Sequence, residues 1–203
     1  MRHLVEHQIE NHLETLAQKS LLHCHAPHVH SLMILDSPEQ RIRLFVAERP
    51  HNLWRNFRGH YLSVGYHPHH CKVTLLVNSG TIYNLKARFT VAEHGKYTRF
   101  RYESKVKGDN ITFVPDGKFY HNGIQVEPML EGQSCSMYAS ELHTVGIKEG
   151  AGASWFVFEG QEDKSYVPQC FSNVELDKED FSHLYKPMTQ QRYLELLKSV
   201  DLF

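Results

Sequence analysis

From about residue 31 onward the chain is written in short apolar or alternating runs, and that pattern restricts it to an all-β architecture. SLMIL, RIRLFVAE, HYLSVGYH, CKVTLLVN, TIYNLKARF, YTRFRYESKV, ITFVP, KFYHNG, SMYASELHTVGI and SWFVFEG are rich in β-branched and aromatic residues, the composition that suits a pleated, half-buried surface. Turn signals separate them at Asp36-Ser37-Pro38, Arg58-Gly59, Asn78-Ser79-Gly80, Lys107-Gly108-Asp109-Asn110, Pro115-Asp116-Gly117 and Gly150-Ala151-Gly152. About ten strands at this spacing, with no helix between them, predict a sandwich or barrel.

Helical periodicity is confined to the two ends. Within residues 3–19, Val5, Ile9, Leu13 and Leu16 recur at helical spacing with Glu, Gln and Asn between them, which predicts an amphipathic helix packed on the outside of a larger body. After Pro187, Thr189 can cap a closing helix whose Tyr193, Leu196, Leu197 and Val200 form an apolar stripe. No linker, low-complexity stretch or internal repeat divides the 203 residues. The expectation is one domain over 1–203, with a helix over 1–20, a barrel over 31–160 and a helix over 188–200.

Hydrophobic residues make up 41% of the chain, enough for a sizeable core. Lys and Arg number 22 against 23 Asp and Glu, so no basic field draws the chain to nucleic acid or anionic lipid. The N-terminal run MRHLVEHQIENHLETLAQK lacks the apolar core of a signal peptide, and no 18-residue apolar stretch occurs. A cytoplasmic protein without a membrane partner is expected. Cys24, Cys71, Cys135 and Cys170 form no CxxC pair and read as free thiols. The basic and aromatic segment KYTRFRYESK reads as an exposed barrel strand. Phosphate-cradling loops, GxSxG elbows and nucleophile triads are absent.

Histidine is the compositional outlier, at 16 of 203 residues, several-fold above its usual share. The segment GYHPHHCKVTLLVNSG, residues 65–80, concentrates the chemistry. His67 and His69 are two apart on a predicted strand, so their imidazoles share one face and can bind one ion. Val73, Leu75 and Val77 share that face, placing the pair against a dry interior, and Cys71 is there as a candidate pocket-lining thiol. His70 points to the opposite face unless a bulge turns it. The other cluster, HCHAPHVH from His23 to His30, follows a helix and contains Pro27, which removes any regular period. It reads as a surface loop in preference to a second metal site.

His67-x-His69, three residues, position 73, six residues, then Gly80 is the spacing of the first conserved motif of the cupin superfamily, which this chain resembles. That resemblance implies a cupin-type double-stranded β-helix, or jelly-roll, barrel. Val73 stands where the family has a ligating glutamate, so the chain is similar to the three-histidine cupins, among them cysteine dioxygenase and other thiol dioxygenases. The second motif implies a third ligand, His143, which lies in SELHTVGIKEGAGASWFVFEG ahead of a Gly-rich turn. Leu142-His143-Thr144-Val145 looks like the corresponding stretch of thiol dioxygenases, although Tyr138 and Ser140 replace the usual Pro-x-Gly. Glu141, two residues before His143, is a candidate fourth ligand, imidazole partner or general base, with a surface carboxylate as the alternative.

Three neutral imidazoles leave a divalent ion its full charge and open positions, whereas a structural site is normally closed by four protein ligands. The resemblance implies a non-haem Fe(II), O2-dependent dioxygenase acting on a small polar or anionic substrate, with Zn, Mn or Ni as alternative metals. In thiol dioxygenases an arginine from an earlier strand holds the substrate carboxylate. Arg41, Arg43 and Arg58 are the possible equivalents, with Tyr83 and Trp155 as pocket-lining candidates. A redox-neutral isomerase or lyase using Glu141 or a tyrosine is the second enzymatic reading, and a non-catalytic small-molecule-binding module is the third. Cupins are often dimers, so a homodimer formed through the terminal helix or first strand is expected by analogy.

Overall fold

The structure, a computed structural model, describes residues 1–48, 65–102, 112–148, 150–163, 166–178 and 184–203, together with the backbone of 55–56 and 60–61. An opening helix α1 (Arg2–Gln18) is followed by β1 (Leu21–Leu22), β2 (Val29–Asp36), β3 (Arg41–Ala47), β4 (Arg55–Asn56) and β5 (His60–Tyr61). Then come β6 (Cys71–Ser79), β7 (Thr81–Val91), β8 (Tyr97–Tyr102), β9 (Phe113–Leu130) and β10 (Ser134–Met137). The chain closes with β11 (His143–Lys148), β12 (Ala153–Glu162), β13 (Gln169–Ser172), β14 (Lys186–Pro187) and the helix α2 (Gln190–Lys198).

Two antiparallel sheets result, one in the order β10-β6-β12-β3-β2-β1-β14 and the other β13-β8-β9-β7-β11-β5-β4. Successive strands change sheet repeatedly, at β3 to β4, β5 to β6, β6 to β7, β9 to β10, β10 to β11, β11 to β12, β12 to β13 and β13 to β14, which is how a jelly-roll winds a pair of facing sheets. The expected all-β barrel of jelly-roll kind with flanking helices is therefore the fold. Its sheets include strands at 21–22, 169–172 and 186–187, outside the expected barrel limits of 31–160.

Alternation sorts β3, β6 and β12 into two faces. Ile42, Leu44, Val46 and Phe156 face the helices, where Val5, Ile9 and Leu16 of α1 and Tyr193, Leu196 and Leu197 of α2 complete a core. Thr189 caps α2, accepting from the Arg192 N–H at 3.2 Å, and the buried Tyr193 hydroxyl donates to the Met33 carbonyl at 2.7 Å. Both terminal helices thus follow the sequence periodicity. Phe45, Val73, Leu75, Val77, Trp155 and Val157 face the other way and pack against Ile82, Met129, Met137 and Ile147 between the sheets.

Two local expectations are corrected. Pro115-Asp116-Gly117 does not end a strand, because β9 runs continuously through it. Asp116 accepts from both Arg99 and Arg101 of β8 at 2.7 Å and holds the segment against its neighbour. Likewise KYTRFRYESK is only partly exposed, since Phe100 is buried against Phe113 and Cys170. The turns expected at Arg58-Gly59 and Lys107–Asn110 lie outside the described residues.

Candidate metal centre

The segment ahead of β6 was expected to be strand throughout, yet Pro68 cannot donate to a ladder, and the backbone is pinned in separate places instead. Tyr66 exchanges backbone hydrogen bonds with Phe171, and His67 does so with His143, at 2.9 and 3.2 Å. The His69 N–H then donates to the Ala139 carbonyl. His67 is therefore fixed directly opposite His143, the first residue of β11. Two residues on, His69 returns to the same side.

Ligand atoms of His67, His69 and His143 lie within 4.8 Å of one another. Burial lowers the pKa of all three, that of His69 to about 3, with neighbouring imidazoles adding to the effect at His69 and His143. The imidazoles are thus neutral, as metal ligands must be. His67 Nδ1–H donates to the Gly65 carbonyl at 3.0 Å and His143 Nδ1–H to Asn84 Oδ1 at 2.9 Å. Each contact leaves a lone pair on Nε2, the usual arrangement behind a metal-ligating histidine. His69 Nε2 faces His143 Nε2 at 2.7 Å. Two lone pairs cannot face each other so closely unless a proton or a cation lies between them. The donor set suits a divalent transition ion, which imidazole binds well, and no fourth ligand joins the cluster among the described residues.

Val73, in the position of the motif glutamate, is fully buried in the core. Its register partner on β12 is Glu159. That carboxylate accepts from Arg43 Nε at 3.2 Å and Arg41 Nη1 at 3.3 Å, and His70 Nε2 lies 3.5 Å away. Arg41 and Arg43 share the inner face of β3 with Phe45, settling an alternation that left their direction open. Arg41 also pairs with Asp36, which Lys19 holds at 2.6 Å. His70 is raised to about 10 by a hydrogen bond with Cys71 and by Glu159; it is therefore an ionised member of this cluster. Cys71 itself is fully buried on the inner face. A cleft of 310 Å³ borders Arg41, His70 and Glu159.

Other candidates are placed differently. Glu141 precedes β11. It accepts from the Tyr138 N–H at 2.7 Å and pairs with Lys86 at 3.3 Å, which occupies both its oxygens. Tyr83 packs with Leu85, Ala87 and Phe119 on the face of β7 opposite Asn84, so it does not line the site. Trp155 is core, stacked on Phe45 at 5.4 Å. Arg58 lies outside the described residues.

The HCHAPHVH segment is not a surface loop. Cys24, Ala26 and His30 are buried, and the backbone turns inward through positive φ at His23, His25 and His28. His30 accepts from the His23 N–H and faces Glu48 at 2.9 Å. His25 stacks on His67 with ring centroids 5.3 Å apart, and its Nδ1 lies 2.9 Å from the Tyr185 hydroxyl. Periodicity could not have located these contacts; the density of histidines was the only signal.

No protein-family model matches the sequence, and no curated protein does. Solved structures with which it shares some likeness include a cupin-2 domain protein from Shewanella frigidimarina, at 10% identity over 64% of this chain and 79% of that one, with a TM-score of 0.33. A cupin domain from Bordetella pertussis gives 11% identity over 66% and 95%, with a TM-score of 0.35. Hydroxypropylphosphonic acid epoxidase from S. wedmorenis gives 11% identity over 70% and 55%, with a TM-score of 0.40. The chain spans about half the length of that enzyme.

Proposed function

We propose that this cupin-fold chain is a metal-dependent enzyme, a non-haem Fe(II) dioxygenase whose small polar or anionic substrate binds at the three-histidine site. The observation that carries the reading is the convergence of three neutral imidazoles, two of them with their tautomer set by carbonyl oxygens. His67, His69 and His143 would hold the ion, which when bound supplies a Lewis-acidic, redox-active centre with positions for substrate and O2. Three neutral ligands offset none of its charge, so an anionic substrate is favoured.

The chain adds to that preference. Arg41, Arg43 and ionised His70 surround the single carboxylate of Glu159 on the inner face, beside the cleft. Arg41 and Arg43 would orient a substrate carboxylate by exchanging part of their pairing with Glu159 for it. Of the groups the redox-neutral isomerase or lyase reading could use, Glu141 is engaged by Lys86 and the Tyr138 backbone, which leaves that reading a tyrosine.

Elemental analysis of untagged protein, native against a His67→Ala/His69→Ala double variant, tests this. Near-stoichiometric iron in the native chain, lost in the variant, followed by oxygen uptake with small thiols or carboxylates, is the expected result. Zinc, manganese or nickel would transfer the reading to redox-neutral chemistry, and no metal in either sample would leave a barrel-shaped binding protein.

A further inference from the structure

Four imidazoles converge in the barrel, and the groups behind them divide them into two kinds. Behind His67 and His143 stand carbonyl oxygens, which can only accept, so Nδ1 carries the proton and Nε2 a lone pair. Behind His25 stands the Tyr185 hydroxyl, 2.9 Å from Nδ1. A buried hydroxyl proton needs an acceptor, and Nδ1 is the one within reach. The proton of His25 consequently sits on Nε2, for which no described residue is an acceptor.

Backbone conformation supports a site role for this pair. His25 has φ 66 and Tyr185 φ 54, a region uncommon for bulky residues, which recurs where function over-determines the backbone. The two strained residues meet at their side chains. The Tyr185 N–H also donates to the His23 carbonyl, tying both segments together. Phe45 at 6.4 Å and His67 at 5.3 Å hold the His25 ring between nearly parallel planes.

We propose that His25 furnishes the site with a fixed N–H donor, set by Tyr185, which binds an oxygen of an anionic substrate beside the three ligands and does not join them. This rests on the metal reading above. His25 touches substrate in this scheme, and Tyr185 is a positioning residue acting through it.

Two measurements test it without turnover. In metal-free protein labelled with ¹⁵N-histidine, NMR should show His25 as the Nε2–H tautomer, and Tyr185→Phe should disturb that tautomer with the fold retained by thermal melting. In Co(II)-loaded protein titrated with formate and followed by the visible spectrum, His25→Ala and Tyr185→Phe should keep cobalt stoichiometry. Both should weaken formate about tenfold, the scale of a lost hydrogen bond to a charged group, and His25→Gln, which retains a donor at the same reach, should recover most of the loss. Loss of cobalt in His25→Ala would make His25 a ligand and overturn the proposal, as would unchanged formate affinity. Native protein that takes up no cobalt overturns the metal reading, and with it the anion site, while the tautomer measurement still decides the Tyr185 contact.

Discussion

A single amide decides how His143 presents itself. Asn84 is fully buried, and its Oδ1 takes the His143 Nδ1–H while its Nδ2 is left with the weak sulfur acceptors Cys135 and Met137, at 3.4 and 3.6 Å. The stronger acceptor thus faces the imidazole and keeps the Nε2 lone pair aimed at His69. Asn84→Leu preserves the volume and removes the partner, so metal affinity should fall by about 10- to 100-fold while the fold persists. Competition against a chelator measures this, and an unchanged affinity would show that packing alone orients the ring. None of it was legible in the sequence, because Asn84 and His143 are 59 residues apart and an asparagine inside a strand run carries no mark of its partner. His67 and His69 were legible because a spacing of two puts side chains on one side even where Pro68 interrupts the strand. His25 was not, since a left-handed backbone turns it inward and periodicity has no bearing on such a segment.

At the scale of elements, the jelly-roll crossings depend on backbone approaching backbone. Gly80, where β6 passes to β7, has φ 76, and a Cβ there would lie 2.6 Å from the Gly152 carbonyl and 3.1 Å from Ala153 Cα. The β11–β12 crossing presses on the β6–β7 crossing, which gives the last residue of the histidine motif its physical reason. Gly80→Ala must both strain the backbone and displace a neighbouring turn, and a loss of about 1–3 kcal/mol in unfolding free energy is expected. Urea denaturation would read it, and a midpoint equal to native would mean that the two turns can move apart freely. On the other side of the first sheet, Tyr193→Phe removes the hydrogen bond to the buried Met33 carbonyl. It should cost about 1–3 kcal/mol through that unsatisfied acceptor, seen as a lower melting temperature. Strands and terminal helices were legible from their periods of two and near four. The continuity of β9 was not, because Pro115, Asp116 and Gly117 have turn chemistry locally and are overruled by Arg99 and Arg101 on the adjacent strand.

The whole molecule carries an unusual number of histidines held neutral by burial, and this couples its stability to pH. Burial lowers His30 to about 4 despite its contact with Glu48, and lowers His25 and His69 to about 3. In the unfolded chain each returns to an ordinary value near 6.5. Between about pH 6.5 and 4 the unfolded state therefore binds more protons than the folded one, so stability is fully present above 6.5 and declines as the pH falls. Each such histidine adds a slope of about 1.4 kcal/mol per pH unit across that window. Carboxylates held below their usual range, Asp36 first through the Lys19 hydrogen bond, extend the decline to lower pH. His70 acts in the opposite sense: raised to about 10, its contribution is complete below 6.5 and fades as the pH rises toward 10. On the acid side the His70 contribution is constant and the three lowered histidines set the slope, so metal-free protein should lose melting temperature steadily from pH 7 to pH 4.5. A bound divalent ion needs the same imidazoles deprotonated and stabilises only the folded state, so loaded protein should melt higher at pH 7, with the advantage shrinking toward pH 5. Melting curves with and without ion across that range test both parts. A metal-independent profile would separate the buried histidines from the ion, and a flat profile would mean that acid opens the barrel enough to hydrate His25 and His30 without unfolding it.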